Sequence, residues 1–209
     1  MPPSQHPNGK QTVPVNPVMV VGNGNLTCTI AADLLMAGYH VKLYTDHPGE
    51  SGNIIHTYCA EAKGSNGSTS VPGNALQVHQ KIAGKCSARL AVVVTAEDLA
   101  VKKVTINLLE KVLGPDAVIA VNTESIALSN IQADAIAPSR IVGLNWAEPA
   151  HTTKFLEIIT NPVTDQRAIE LAGQLGASLG KDPYSVEDLG IRSRLIAAMI
   201  REAFYLVEK

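Results

Sequence analysis

At 209 residues, 45% hydrophobic and 17% charged, the chain is long enough to close one full domain around a large core, with room for a small appendage. A formal net charge of -2 without any block of like charge excludes nucleic acid as the main partner, because phosphate binding needs clustered Lys and Arg, and aromatics at 4% leave few stacking platforms. No run approaches the roughly 18 to 20 apolar residues of a membrane span, and Cys28, Cys59 and Cys86, odd in number and without metal-ligand spacing, read as free thiols in a reducing cytoplasm.

The chain opens with MPPSQHPNGKQTVPVNP, which lacks the charged-then-apolar layout of a secretion signal. Rich in Pro, Asn and Gln, residues 1–16 are expected to form a disordered lead-in ending at Pro17. Val18 to Val21 is then a continuous apolar run, as in a strand buried on both faces. Gly22 and Gly24 follow, a helix is predicted from about Leu26 to Met36, Ala37-Gly38 stops it, and Val41 and Leu43 begin a second strand. Strand, glycine turn, helix and strand within thirty residues is a βαβ unit of the kind that holds a dinucleotide. Gly22 allows the tight turn, and Gly24 lets the backbone at Asn25 and Leu26 approach a pyrophosphate at the positive end of the helix. The third glycine of the fingerprint is Thr27, predicted either to push the helix off the sheet or to place a hydroxyl near the phosphates. The acidic residue that binds the ribose falls one position late, with Thr45 in its place and Asp46 next, so the choice between NAD and NADP stays open. The same residues also suit a βαβ unit with a short glycine turn and no ligand.

His47 to Gly52 reads as a turn, Asn53 to Lys63 as a helix carrying Ile54, Ile55, Tyr58 and Ala62 inward, and Gly64 to Gly73 as a flexible loop. His47, His56 and His79 have no ligand spacing, and no metal site is expected. Leu76 to Ile82 alternates as a short strand. Ala91 to Val94 is a buried strand, followed by a helix from Leu99 to Leu113 with Val101, Val104, Leu108, Leu109 and Val112 at helical spacing. Gly114-Pro115-Asp116 ends that helix, Ala117 to Val121 is the next strand, Ser129 is predicted to cap a short helix through Ile136, and Arg140 to Leu144 is another strand. Strands alternating with helices predict a Rossmann-type, doubly wound, mainly parallel α/β sheet. Ligands of such sheets lie beyond the carboxyl ends of the strands. That rule singles out the Gly22 loop, Thr45-Asp46, Ala96 to Asp98, Asn122 to Ser125, and Asn145 to Glu157.

Several of these segments together resemble the NAD-binding domain of the 3-hydroxyacyl-CoA dehydrogenase family, over about residues 18 to 209. Ala37-Gly38-Tyr39-His40-Val41 is similar to its A-G-x-x-V, and Glu97 to Lys102 to its E-N-L-x-V-K. Asn122 to Ser125 is similar to its N-T-S-S, and Pro149 with Lys154 to Ile158 to its N-P-x-x-x-M-K-L-V-E-V. The resemblance implies NAD as cofactor, with NADP not excluded. It implies Ser125 as the serine that bonds the substrate's 3-oxygen, Glu157 as the carboxylate that orients a catalytic histidine, and Ala96, Glu97, Lys102 and Asn122 beside the nicotinamide. The histidine is missing: the family's H-F-F-N-P stands here as Asn145-Trp146-Ala147-Glu148-Pro149, and a further active-site asparagine aligns with Arg194.

These replacements bear on chemistry. A histidine exchanges protons near neutrality, with an unperturbed pKa of about 6.5, and asparagine does not. Asn145 is left to polarise a carbonyl, and Glu148, Glu157 and His151 are candidates for the proton. Glu148 and Arg194 are predicted to pair across the cleft, since buried charges persist mostly when paired. The last helix, Ile191 to Glu208, carries an apolar stripe too wide to leave in water, predicting that residues 187–209 pack on a second copy as a homodimer beside a dinucleotide-binding domain at 17–186. Three readings follow. The first is a nicotinamide-dependent oxidoreductase acting on a small-molecule substrate, a 3-hydroxyacyl-CoA or related hydroxy acid. The second is a binding or sensing module that has lost the catalytic group, and the third a fold-level relative such as a ketoacid reductase.

Overall fold

The computed structural model describes residues 16–66 and 72–208. The expected lead-in falls at residues 1–15 outside that range, as do 67–71 of the expected loop and the side chain of Ala62. β1 (Val18–Gly22), α1 (Gly24–Met36) and β2 (Val41–Tyr44) form the predicted βαβ unit. α2 (Pro48–Asn66) starts earlier than its apolar spacing suggested, because Pro48 has the φ of a first helical residue and needs no N–H partner there. The turn read at residues 47–52 is therefore mostly helix, and Ile55 and Cys59 carry its buried face.

β3 (Leu76–His79), β4 (Leu90–Val94), α3 (Leu99–Val112), β5 (Val118–Val121), α4 (Leu128–Gln132) and β6 (Ile141–Trp146) follow, then β7 (Phe155–Thr160), α5 (Gln166–Ser178), β8 (Asp182–Glu187) and α6 (Ile191–Val207). Among the described residues the sheet has eight strands, in the order β3-β2-β1-β4-β5-β6-β7-β8. All neighbours are parallel except β6 and β7. That antiparallel pair sets Asn145 directly opposite Glu157. Every residue of β4, β5 and β6 is buried, which explains why these strands read as unbroken apolar runs. One face of the sheet packs on α1, α2 and α5 through Ile30, Leu34, Ile55 and Leu175, the other on α3 and α4 through Ile106, Leu109 and Ile131.

Two elements differ from expectation in a way that shapes the site. The buried stripe of α3 is Lys102, Ile106 and Leu109, whereas Val101, Val104 and Leu108 are exposed. The helix is rolled so that a lysine, not a valine, faces the sheet. α4 is not capped by Ser129: its N-cap is Ala127, and the N–H and hydroxyl of Ser129 both donate to the Asp188 carboxylate at 2.7 and 2.9 Å. Asp188 follows β8 with φ 56°, so the end of one strand fixes the loop after another.

Candidate active site

The order of β2, β1, β4 and β5 reverses direction between β1 and β4, and the cleft at the carboxyl ends of those strands is where an α/β sheet accepts a ligand. A cavity of about 510 Å³ lies there, lined by Gly22, Asn23, Asp46, Thr95, Val101 and Leu108 among others. A Cβ on Gly22 would stand 2.1 Å from the Val94 carbonyl oxygen, so only glycine lets β1 turn this close to β4. Gly24 has φ +84° and nothing within 4 Å of where a Cβ would stand, which leaves an open approach to the backbone at the start of α1. Thr27 packs against the glycine turn: it is buried, its hydroxyl donates to the Asn23 carbonyl at 2.8 Å, and that hydroxyl would stand 2.9 Å from a Cβ on Gly22.

Asn23 ties the glycine loop to the end of β2. Its Oδ1 accepts from the Thr45 hydroxyl and the Asp46 N–H, both at 2.8 Å, and its Nδ2 donates to Asp46 Oδ2 at 2.8 Å. Thr45 is buried, and Asp46 is the exposed acid that lines the cleft. The acid one position past the end of β2 therefore reaches the cleft despite its offset. Sequence reasoning passed over Asn23, although an amide inside the glycine loop is a usable signal.

Asn25, exposed at the start of α1, donates to Glu148 Oε1 at 2.5 Å and accepts from the Tyr58 hydroxyl at 2.6 Å, while Leu26 packs partly buried against the core. This corrects the predicted partner of Glu148. No ion pair joins it to Arg194, which is exposed on α6; the arginine that reaches across is Arg192, whose Nη1 lies 3.1 Å from Glu124 Oε1. The two arginines are two positions apart, and the rotation of α6 puts the first towards the site. The loop bearing Glu148 is held from behind by Lys181, which donates to the carbonyls of Ala150 and Thr153 and pairs with Asp33 at 2.7 Å. His151, a candidate for the proton, is turned towards α2: its ring lies 4.8 Å from that of Tyr58.

Glu97 and Lys102 meet at the neighbouring strand end. Lys102 is fully buried, donates to the Asn122 carbonyl at 2.7 Å and pairs with Glu97 at 3.1 Å. Glu97 Oε1 accepts from the N–H groups of Glu124, Ser125 and Ile126 at 2.9, 2.7 and 3.1 Å and from the Thr123 hydroxyl at 2.8 Å. Burial opposes ionisation of this carboxyl, but the Ser125 N–H, the Lys102 ammonium, the Glu124 N–H and the Thr123 hydroxyl together bring its pKa down to about 2. Ser125 is exposed on the loop so shaped, with Oγ 3.3 Å from Glu97. Asn122 is buried with its Oδ1 towards the Trp146 N–H, and Ala96 is exposed beside Glu97.

Asn145 and Glu157, both fully buried, form the other half of the site. Asn145 Nδ2 donates to Glu157 Oε2 at 2.7 Å. Glu157 Oε1 accepts from the Tyr184 hydroxyl at 2.6 Å and from the N–H groups of Ile191 and Arg192, both at 2.9 Å, so it also caps α6. Gly190 makes that approach possible, since a Cβ there would lie 2.8 Å from Glu157 Oε2. Burial, the hydrogen bond to Glu157 and the charge of Glu157 all raise the pKa of the Tyr184 phenol. Asn145 spends one of its two amide N–H groups on Glu157, while its Oδ1 is buried and without a hydrogen-bond partner among the described residues.

The fold and the glycine-lined cleft define a dinucleotide-binding α/β domain. Residues 17–189 match the family model described as 3-hydroxyacyl-CoA dehydrogenase, NAD binding domain, and the chain belongs to that family. A probable 3-hydroxybutyryl-CoA dehydrogenase of Bacillus subtilis is 26% identical over 202 residues, 92% of this chain and 70% of that one. The crystal structure of 3-hydroxybutyryl-CoA dehydrogenase from Escherichia coli K12 superposes with TM-score 0.74 at 26% identity, covering 83% of this chain and 38% of that one. FadB2 of M. tuberculosis superposes with TM-score 0.83 at 25% identity, covering 93% and 72%. The Rossmann-type fold, the oxidoreductase class and NAD as cofactor, all expected from the sequence, agree with these matches. No helix among the described residues is long and apolar enough to cross a membrane.

Proposed function

We propose that the protein is an NAD-dependent oxidoreductase acting on a 3-hydroxyacyl-CoA or a related hydroxy acid, with Ser125 holding the reacting oxygen. Bound in the cleft, the nicotinamide cofactor would supply the hydride acceptor or donor. The glycine loop and the first turn of α1, through Gly22, Gly24, Asn25 and Leu26, would hold its phosphates, and Asp46 its ribose. Glu97 keeps the 123–126 loop in one shape by binding three successive N–H groups, so the Ser125 hydroxyl is presented at a fixed place beyond the carboxyl end of β5. That bracket is the observation that carries the reading. Lys102 neutralises Glu97, and Asn122 ties the loop to β6.

Asn145 keeps one half of what a histidine does at its position: it donates to Glu157 and so preserves the bracket to α6. It does not move a proton. Turnover with the usual thioester is therefore expected to be slow, and this favours a second reading, a dinucleotide-binding or sensing module. Titration of the purified protein with NADH and NADPH, followed by absorbance at the nicotinamide band with acetoacetyl-CoA, separates the two. Binding with slow oxidation supports the enzyme, binding without oxidation supports the sensor, and absence of binding defeats both.

Residues 17–186 are proposed as the cofactor domain and α6 as a dimerising segment in a cytoplasmic protein. Leu195, Met199, Ile200 and Phe204 are all exposed along α6, a stripe suited to a second copy. Light scattering at micromolar concentration is expected to give a dimer, and a monomer overturns this part.

A further inference from the structure

Arg192 is placed where a cation is costly. It occupies the first turn of α6, beside the positive end of the helix dipole. Its backbone N–H is bound by Glu157, the same carboxylate that holds Asn145, so its position is fixed to the reaction half of the site. The guanidinium sits 5.6 Å from the centre of the Phe155 ring, and among the described residues its one hydrogen bond is from Nη1 to Glu124 at 3.1 Å. The side chain is 32% exposed and Glu124 is 47% exposed, so this pair is open to a competing ligand. Glu124 immediately precedes Ser125, so the pair ties Arg192 to the same Glu97-held loop that carries the hydroxyl assigned to the reacting oxygen. Lys102, the other cation beside this loop, is buried and spent on Glu97 and the Asn122 carbonyl. A planar guanidinium with free N–H groups matches a carboxylate in two parallel hydrogen bonds, whereas a neutral thioester offers it one weak acceptor.

We propose that Arg192 binds a carboxylate of the substrate, so that the site takes a free hydroxy or keto acid in preference to an acyl thioester. This rests on the oxidoreductase reading given above. Glu124 holds the arginine in place until the acid arrives and competes with it for Nη1. The contact selects the substrate and moves no proton.

NADH oxidation is to be measured with acetoacetate, with its neutral methyl ester and with acetoacetyl-CoA. The expected result is a kcat/KM for the acid at least about tenfold above that for the ester or the thioester, the scale of a charged hydrogen-bonded contact. In R192M this selectivity ratio should collapse, in R192K recover in part, and in E124Q rise as the internal competitor is removed. An ester as good as the acid, or a ratio unmoved by R192M, overturns the proposal while leaving hydride transfer standing. If no compound is reduced, calorimetric titration of acetoacetate into the NADH-saturated protein decides. Binding of the acid that R192M abolishes sustains the carboxylate site and defeats the oxidoreductase reading; no binding overturns the carboxylate site. Thermal unfolding of R192M and R192K, whose side chain lies outside the core, checks that the fold is intact.

Discussion

Glu97 and Glu157 do similar mechanical work and differ in what surrounds them. Each gathers backbone N–H groups from a segment that must be held in place, the 123–126 loop for Glu97 and the start of α6 for Glu157. Glu97 has a buried ammonium 3.1 Å away, and its charge is balanced. Glu157 is met by an amide, a phenol and two peptide N–H groups, none of which carries charge. The comparison teaches that hydrogen-bonding geometry and proton chemistry are separable. An amide at position 145 retains the donor that a histidine would give Glu157, so the local structure persists. The group that would titrate near neutrality is gone.

The largest change expected on the cofactor side comes from Gly22→Ala. Its Cβ would stand 2.1 Å from the Val94 oxygen, and separating β1 from β4 should cost about 3 kcal/mol and abolish NADH binding, read by urea unfolding and fluorescence titration. On the reaction side Asn145→His returns a titrating group against Glu157. The rate of NADH oxidation with acetoacetyl-CoA should rise about a hundredfold. Because the protonated ring is the donor in that direction, the gain should fade as pH climbs and the ring loses its proton. An unchanged rate would mean that more than the proton carrier is missing.

Glu97→Gln tests the balanced carboxylate. The folded-state pKa is lowered from 4.5 to about 2, so the carboxylate's contribution is complete above pH 4.5 and disappears as pH falls towards 2. With the side chain 30% open to solvent, that contribution is about 2 kcal/mol. The variant should be less stable than the parent at pH 6 and close to it at pH 2.5, and parallel stability curves would contradict the bracket. Tyr184→Phe removes one of four donors from Glu157, for about 1 kcal/mol in urea unfolding with NADH affinity unmoved. The smallest effect is expected from Glu148→Gln, which keeps an acceptor for Asn25 but removes a charge near the phosphate-binding turn. NADH should bind about two- to threefold tighter, and the gain should shrink in high salt.

Much of the cofactor half was legible because its signals are local. Glycines at a strand-to-helix turn, the apolar run before them and the acid near the end of β2 all fall within thirty residues. The reaction half was less so. The resemblance offered Ser125 and Glu157 as candidates, and the roll of α3 misled the periodicity reading. Val101 and Leu108 line the cleft while Lys102 is buried, since the lysine's partners, Glu97 and the Asn122 carbonyl, outweigh the burial of another valine. The early start of α2 at Pro48 was missed for a simpler reason: its first turn carries few apolar residues to register a period.

By itself the sequence determined the succession of strands and helices, the glycine turn, the family and the absence of a titrating side chain at position 145. These depend on backbone preferences and residue chemistry that do not need neighbours. Only the tertiary structure decided which side chains meet: Asn25 with Glu148 across 123 positions, Asn145 with Glu157 across an antiparallel pair, and Arg192 rather than Arg194 with the loop after β5. The physical reason is angular. A helix turns about 100° per residue, so an arginine two positions along faces elsewhere, and a strand reverses its side chain at each step, so a one-residue shift of register changes which partner is met; packing sets both.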